Sequence, residues 1–500
     1  MASSIAKAFK SYRRDETQKL SRYTGFLPTN PAVYREFFRK NIEVGQMRMR
    51  TNVPHVLAVE EFSAAIKSDQ TMFNLFNEIF VQAAHTPDVP ALKSFDQLLY
   101  ILDGIISRSP SFCIIRDDKG NFMGEPIGIP IYLLFDLLSN TQAAYDLFRM
   151  EAFNAAMKRL LDAWGAYLAT KESTNVLHEG QEGWFSPLAL QLLNGGRFIG
   201  DFNSTYVTPE PYSPDRGYAS WDDFFTREVQ PHARPIIAAD NLTLIHNACE
   251  STVFNIQRNV KLHDHFWLKS RPYSLYDMLA KNSEDASKFV GGTVYQASLG
   301  PQDYHRWHSP INGTSRPYSL YDMLAKNSED ASKFVGGTVY QASLGPQDYH
   351  RWHSPINGTV IKVVNVPGTY YAVIPDEGAD PNDPDLQPND PHGGLFRSQG
   401  FLTLSAARAL VFIESPNPDI GLMCFIGIGM CEVSTCQIIV KPGDSVTVGQ
   451  QLGMFHFGGS SHALVFGPQA KVTFADVVQK DKHIHVNSII AQVERAHSAY

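Results

Sequence analysis

The apolar positions follow one period in the first part of the chain and another in the second. From Phe153, the residues Phe153, Met157, Leu160, Leu161, Trp164 and Leu168 fall at i, i+4, i+7, i+8, i+11 and i+15. That spacing keeps them on one face of a helix. The same period runs through Ala64–Ala83 and Phe95–Ile106, and all three stripes predict core-facing helices. After a turn-rich stretch at 209–217 the pattern shortens. TVIKVVNV (359–366), TYYAVI (369–374), ALVFIE (409–414), MCFIGI (423–428), CQIIV (436–440) and MFHF (454–457) are short, rich in β-branched or aromatic residues, and bounded by turn formers. Such runs read as strands. Gly443-Asp444 signals a hairpin turn, Val446–Val448 a short strand and Gly449 a second turn. The expected class is α+β: a helical domain over 1–210 and a β-rich domain with a barrel-sandwich-like portion over 211–500.

A self-comparison changes what the length means. Residues 270–314 recur without a change as 315–359, so two identical copies of 45 residues stand in tandem. Stacked-repeat folds need at least three units with divergent caps, and this pair does not fit them. A recent duplication or an error in the gene model is the plain reading; two separate active sites is the other. Each copy is charge-neutral, so the repeat leaves the net charge of -8 as it stands.

Composition then narrows the function classes. With 43% hydrophobic and 19% charged residues over 500 positions, the chain can bury real cores. The acidic balance argues against a nucleic-acid partner. Five cysteines, none in a CxxC pair, make neither a disulfide framework nor a structural zinc site. The Pro- and Asp-rich stretch 376–394 lacks the spacing of a calcium loop, so no metal is expected. No apolar run reaches the roughly 18–20 residues of a spanning helix. The basic, Ser-containing first residues have no apolar core of a secretory signal. A soluble, cytoplasmic protein without stable membrane insertion is the expectation.

Candidate chemistry sits where MFHF runs into Gly458-Gly459-Ser460-Ser461-His462. A glycine turn alone would explain the tetrapeptide Gly-Gly-Ser-Ser. The chemical reading is that the Ser460 hydroxyl attacks the unhindered Gly459 carbonyl. A base must take its proton and donors must hold the oxyanion. Elimination would then split the chain at 459/460 and turn the serine into a pyruvoyl group. The turns at Gly443 and Gly449 also occur in biotinyl and lipoyl carriers, but no lysine occupies this hairpin tip.

Several ordered motifs carry a resemblance. They are Trp221–Arg227 with Arg234-Pro235-Ile236, then Asp348–Pro355 with Gly358 and Pro367-Gly368, then Gly443-Asp444, Gly449, Leu452-Gly453 and Phe455 leading into Gly459-Ser460. From about Ser220 to the end, this sequence resembles the phosphatidylserine decarboxylase superfamily of pyruvoyl-dependent enzymes. The resemblance implies that Ser460 is the autocatalytic serine and Gly459 its cleavage partner. His353 would be the catalytic histidine and His350 an accompanying one that positions substrate or acid. The cofactor implied is a covalent pyruvoyl group from Ser460, with no pyridoxal phosphate. The mature protein would be residues 1–459 held to its own cleaved chain 460–500, with a homodimer possible.

One position departs from the family. Its third member is an Asp, and Cys249 stands there, followed by Glu250. The carboxylate that orients His353 is then Glu250 or is absent; His462 and His456 are further helpers. The ACES stretch 248–251, the YHRWH block from Tyr349 to Thr359, GMFHFGGSS at 453–461 and a long helical N-terminal part together resemble the fungal L-tryptophan decarboxylases of this superfamily. That implies decarboxylation of an aromatic L-amino acid, a small-molecule substrate. A lipid-acting phosphatidylserine decarboxylase and a non-catalytic binding protein are the alternatives. Of the two HRWH copies, His353 is favoured over His308, because the chain from it to the following strands is short.

Overall fold

A computed structural model describes residues 27–28, 30–84, 92–116, 120, 122–127, 129–194, 197–258, 320–325, 327–335, 337–344, 348–375, 392, 394–433, 435–456, 459–479 and 482–494. The first repeat copy and the stretch 376–391 lie outside these residues, and with them His308 and most of the acidic stretch 376–394.

The helical part contains α1 (Pro31–Arg50), α2 (Leu57–Ser68), α3 (Gln70–Ala83), α4 (Phe95–Ile106), α5 (Pro130–Ser139), α6 (Gln142–Leu147) and α7 (Glu151–Leu168). All six apolar residues of the 153–168 stripe are buried on α7. The stripe read as one helix over Ala64–Ala83 is two helices. Asp69 breaks it, accepting hydrogen bonds from the backbone N–H groups of Thr71 and Met72 at 2.8 and 3.1 Å. A carboxylate there caps α3 and stops α2 from continuing. Phe76 and Phe95, with ring centroids 4.6 Å apart, join α3 to α4, and Phe148 stacks on Phe153 at 4.8 Å. A hairpin of β1 (Phe112–Arg116) and β2 (Phe122–Pro126) also belongs to this part. The helical stripes gave no sign of it.

The second part is built on a sheet of eight strands among the described residues. They are β4 (Ser251–Arg258), β5 (Thr338–Leu344), β7 (Gly358–Val366), β8 (Arg408–Glu414), β9 (Leu422–Met430), β11 (Ser445–Val446), β13 (Gly459–Phe466) and β15 (His483–Ile484). Their order is β11-β7-β8-β9-β13-β5-β4-β15, all antiparallel. Two three-stranded sheets complete the part. One holds β6 (Arg351–His353), β10 (Thr435–Ile438) and β12 (Gln451–His456); the other holds β3 (Leu244–His246), β14 (Val472–Phe474) and β16 (Ile489–Val493).

The large sheet is buried on both faces. Ala463 and Val465 of β13 and Ile426 of β9 join the apolar core of the helices. Leu464, Phe466 and Phe425 point the other way, into a second core with Trp352, Leu452, Phe455 and Ile490 from the small sheets. One core thus runs across the expected boundary at 210/211, and the turn-rich stretch 209–217 is no gap in the packing. The TYYAVI segment is not a strand: only Thr369 forms an isolated bridge, to Ala406. Tyr370, Tyr371, Ala372 and Val373 are all buried, without the alternation a ladder strand would show. Tyr371 packs on Phe135 of α5 at 4.9 Å, and the Tyr370 N–H donates to Asn154 of α7. The segment bridges the layers instead of extending a sheet.

Trp352 is held by glycines. A Cβ at Gly453 would lie 2.2 Å from the Gln437 carbonyl oxygen and 2.8 Å from the Trp352 ring; one at Gly427 would meet the same ring at 3.0 Å. Gly453→Ala must therefore push β12 off β10 or move the indole. It is expected to lower unfolding free energy by about 1–3 kcal/mol, read from the denaturant midpoint; an unchanged midpoint would contradict this packing.

Candidate active site

Ser460 lies at the start of β13, fully buried. Its strand pairs on both sides, placing Ser460 opposite Leu344 of β5 and Gly429 of β9. Strand residues alternate between faces, so Ser460 shares the side of His462, Leu464 and Phe466, toward the small sheets. The preceding Gly459 pairs with Met430. The motifs at 221–227 and 348–355 converge here. The helix Trp221–Phe225 (α8) is capped by Ser220, whose hydroxyl accepts from the Asp223 N–H at 3.0 Å. It presents Phe225 to the His350 ring, stacked at 4.5 Å. Arg351 donates to the Thr226 carbonyl at 2.6 Å, fixing the segment beside it.

The imidazole brought to the serine is that of His350. Its Nδ1 lies 3.4 Å from the Ser460 Oγ, and both side chains are buried. His353 is placed differently. Its Nδ1 is 2.6 Å from the Gly449 carbonyl oxygen and its Nε2 is 2.9 Å from the Tyr349 hydroxyl. A carbonyl only accepts, so Nδ1 carries the hydrogen and Nε2 accepts from Tyr349. Burial also holds the ring down to about 4, well below an ordinary histidine, so it is neutral near pH 7. With both nitrogens engaged, His353 fixes the turn at Gly449 and offers none to Ser460.

Glu250 does not orient His353. Burial would raise its carboxyl, but the Arg234 guanidinium holds it well below the usual carboxylate range. Arg234 binds it through two bonds, at 2.5 and 2.9 Å, and the Val486 N–H adds a third at 3.0 Å. Arg234 belongs to the Arg-Pro-Ile motif, and nothing in the spacing of the chain tied that motif to Glu250. Cys249, at the family's Asp position, is buried, and burial pushes its thiol well above the usual range. It is a neutral group and no substitute for a carboxylate. His456 turns outward to Asp222 at 3.0 Å and Gln437 at 2.8 Å.

His462 is the unusual member. It is fully buried, stacked on Phe425 at 6.0 Å and beside Tyr340, and neither ring nitrogen has a hydrogen-bond partner among the described residues. Burial pushes it down to about 3. Asp348, the first residue of its motif, is paired with Arg197 at 2.6 Å, tying the reactive segment to the helical part.

Comparison with known proteins gives the family. A family model described as phosphatidylserine decarboxylase matches residues 221–317 and 314–492, and a second of that description matches 56–193. The chain belongs to the phosphatidylserine decarboxylase family. It is accordingly a carboxy-lyase. The first matched stretch ends, and the second begins, at the junction of the two repeat copies. Decarboxylase iboD of Amanita muscaria is 49% identical over 79% of this chain and 100% of its own length. L-tryptophan decarboxylase of Psilocybe cubensis is 29% identical over 96% of both chains. Phosphatidylserine decarboxylase proenzyme 3 of Schizosaccharomyces pombe is 21% identical over 56% of this chain and 22% of its own. Among the described residues no helix is long and apolar enough to cross a membrane.

The two buried, neutral histidines set a pH dependence. An unfolded histidine titrates near 6.5. Above that pH neither state binds the proton, so the stability is fully present. As pH falls below it, the unfolded chain takes up protons that folded His353 and His462 refuse until about 4 and about 3. Stability therefore falls from pH 7 to pH 5. His462→Phe removes one of these groups and should flatten the fall by roughly 1–2 kcal/mol at pH 5. Urea unfolding at both pH values measures it; equal slopes in the two proteins would contradict the buried neutral ring.

Proposed function

We propose that this chain is a self-processing, pyruvoyl-dependent decarboxylase of an aromatic L-amino acid, with L-tryptophan the first candidate. The observation that carries it is the Ser460 hydroxyl beside His350, directly after Gly459, in a site closed to water. His350 Nδ1 takes the hydroxyl proton as Oγ attacks the Gly459 carbonyl carbon. The Gly459–Ser460 amide bond breaks, an ester forms, and the proton goes to the released amine. Removal of the Ser460 Cα proton then breaks the Cβ–Oγ bond, with Gly459 leaving as a carboxylate. Water releases ammonia from the new N-terminus, leaving the pyruvoyl group.

The residues present suit such a group. It would stand at residue 460 in the same buried position, and no further protein ligand is needed to hold it. Once formed, it supplies a carbonyl electron sink for the carbanion left when CO2 departs. The chain's own part is orientation and proton movement. His350, stacked on Phe225, would return a proton to the substrate Cα. His353 and Tyr349 hold the segment that carries it.

The substrate class is supported by coverage. The fungal L-tryptophan decarboxylases align over 95–96% of this chain, helical part included. The first phosphatidylserine decarboxylase proenzymes align over 56%.

Wild-type protein should run on a denaturing gel as two chains, and Ser460→Ala as one full-length chain. His350→Ala should slow processing by about 100-fold or more. Processed protein given L-tryptophan, L-phenylalanine or phosphatidylserine vesicles should release CO2 with an aromatic amino acid. Cleavage of Ser460→Ala, or product from the vesicles alone, would overturn the proposal.

A further inference from the structure

We propose that Glu250, His483 and His485 form a binding site for a divalent transition metal of the Zn2+ class. The sequence pointed to no such site, because it offers neither cysteine pairs nor a calcium loop, and because Glu250 lies more than 200 positions before the two histidines. The strand β15 brings them together. Ile484 points into the core, so its neighbours His483 and His485 both face outward, on the side of Glu250.

Both imidazoles lie at ion-pair distance from Glu250, at separations that a metal ion also fits. Nε2 of His483 lies 3.6 Å and Nε2 of His485 3.8 Å from the Glu250 Oε1, and the three ligand atoms are within 4.8 Å of one another. Both separations exceed hydrogen-bond range. A tetrahedral zinc ion with nitrogen and oxygen ligands at about 2.0–2.2 Å separates them by about 3.4 Å. The two histidine-to-carboxylate separations lie within a few tenths of an ångström of that value. The His483 Nε2 is buried and, among the described residues, has no partner within hydrogen-bond distance, as expected of an atom available to a metal ion.

The carboxylate is already fixed in direction. Arg234 and the Val486 N–H occupy both lone-pair positions of Oε2 and one of Oε1. One lone pair of Oε1 remains, and the two imidazoles converge on Oε1. The backbone beneath them is held as well, since the Asn247 side chain donates to the Ile484 carbonyl at 3.0 Å. Glu250 is fully buried, while the side chains of His483 and His485 are 25% and 36% exposed, so an ion can enter from solvent and keep a water. Two imidazoles and one oxygen suit zinc, cobalt or nickel; calcium and magnesium need six or more oxygen ligands. The Arg234 charge weakens the carboxylate as a ligand and sharpens that preference for nitrogen-binding metals.

The site does not depend on the proposed cleavage. If the cleavage occurs, Glu250 lies in one product chain and both histidines in the other, and the metal clasps them together.

The test uses the full chain carrying Ser460→Ala, stripped with a chelator and titrated with Co2+. One ion per chain is expected, with the visible absorption of a tetrahedral or five-coordinate cobalt site, displaced by Zn2+ and not by Ca2+. His485→Ala should weaken binding at least tenfold and His483→Ala/His485→Ala should abolish the spectrum, with circular dichroism showing the variants folded. If the double variant does not fold, the more exposed His485→Ala alone makes the comparison. Equal Co2+ uptake and spectrum in wild-type and variant side chains, or displacement by Ca2+, would overturn the site. Because Ser460→Ala is unprocessed throughout, neither result bears on whether the serine cleaves.

Discussion

Everything in this structure depends on where β13 lies. The strand that begins at Gly459 is gripped on both sides, by β5 and by β9, and both faces of its sheet are buried. A break after the first residue of such a strand would cost connectivity but little packing. The segment from 460 onward would stay bound through β13, through β15 on β4, and through β16 on β3. On the proposed cleavage, that constraint would let the protein carry the serine deep in its own sheet and still remain one body. It also explains why the reactive group is closed to water, which strengthens the electrostatic interactions around it.

Around that strand, polar groups are arranged in separate tasks. His350 faces the serine, His353 pins a turn, and Glu250 closes a buried ion pair with Arg234. Buried charges of this kind persist only when paired and hydrogen-bonded. The pairs Arg234–Glu250 and Arg197–Asp348 satisfy that condition and link elements distant in sequence. The helical part is therefore no appendage. It supplies Arg197 to the reactive motif and the core face against which the large sheet packs.

Much of this was legible in the chain. Strong periodicity gave α4 and the buried face of α7, and alternating β-branched runs gave β7, β8 and β9. The motif order put Ser460 forward as a candidate with His353 and His350, and the fold brings His350 to it. Other features were not legible, for physical reasons. Asp69 splits a continuous apolar stripe by a capping bond that periodicity does not report. TYYAVI has strand composition but is buried between layers, and burial on all sides looks the same in sequence as a ladder. The resemblance put the catalytic role on His353 and made His350 the accompanying histidine; the two lie three residues apart, and only the position of Gly449 engages the His353 ring while His350 faces Ser460. Glu250 next to Cys249 invited a catalytic reading until Arg234 was seen to claim it.

The central claim is that Ser460 becomes a pyruvoyl group at a cut chain end. The most direct measurement is the intact mass of the small chain from freshly purified wild-type protein. The account predicts a chain of residues 460–500 lighter by one ammonia than the same peptide starting with serine, and heavier by two hydrogens after borohydride reduction. A chain starting with unmodified serine, or only uncut protein, would contradict it.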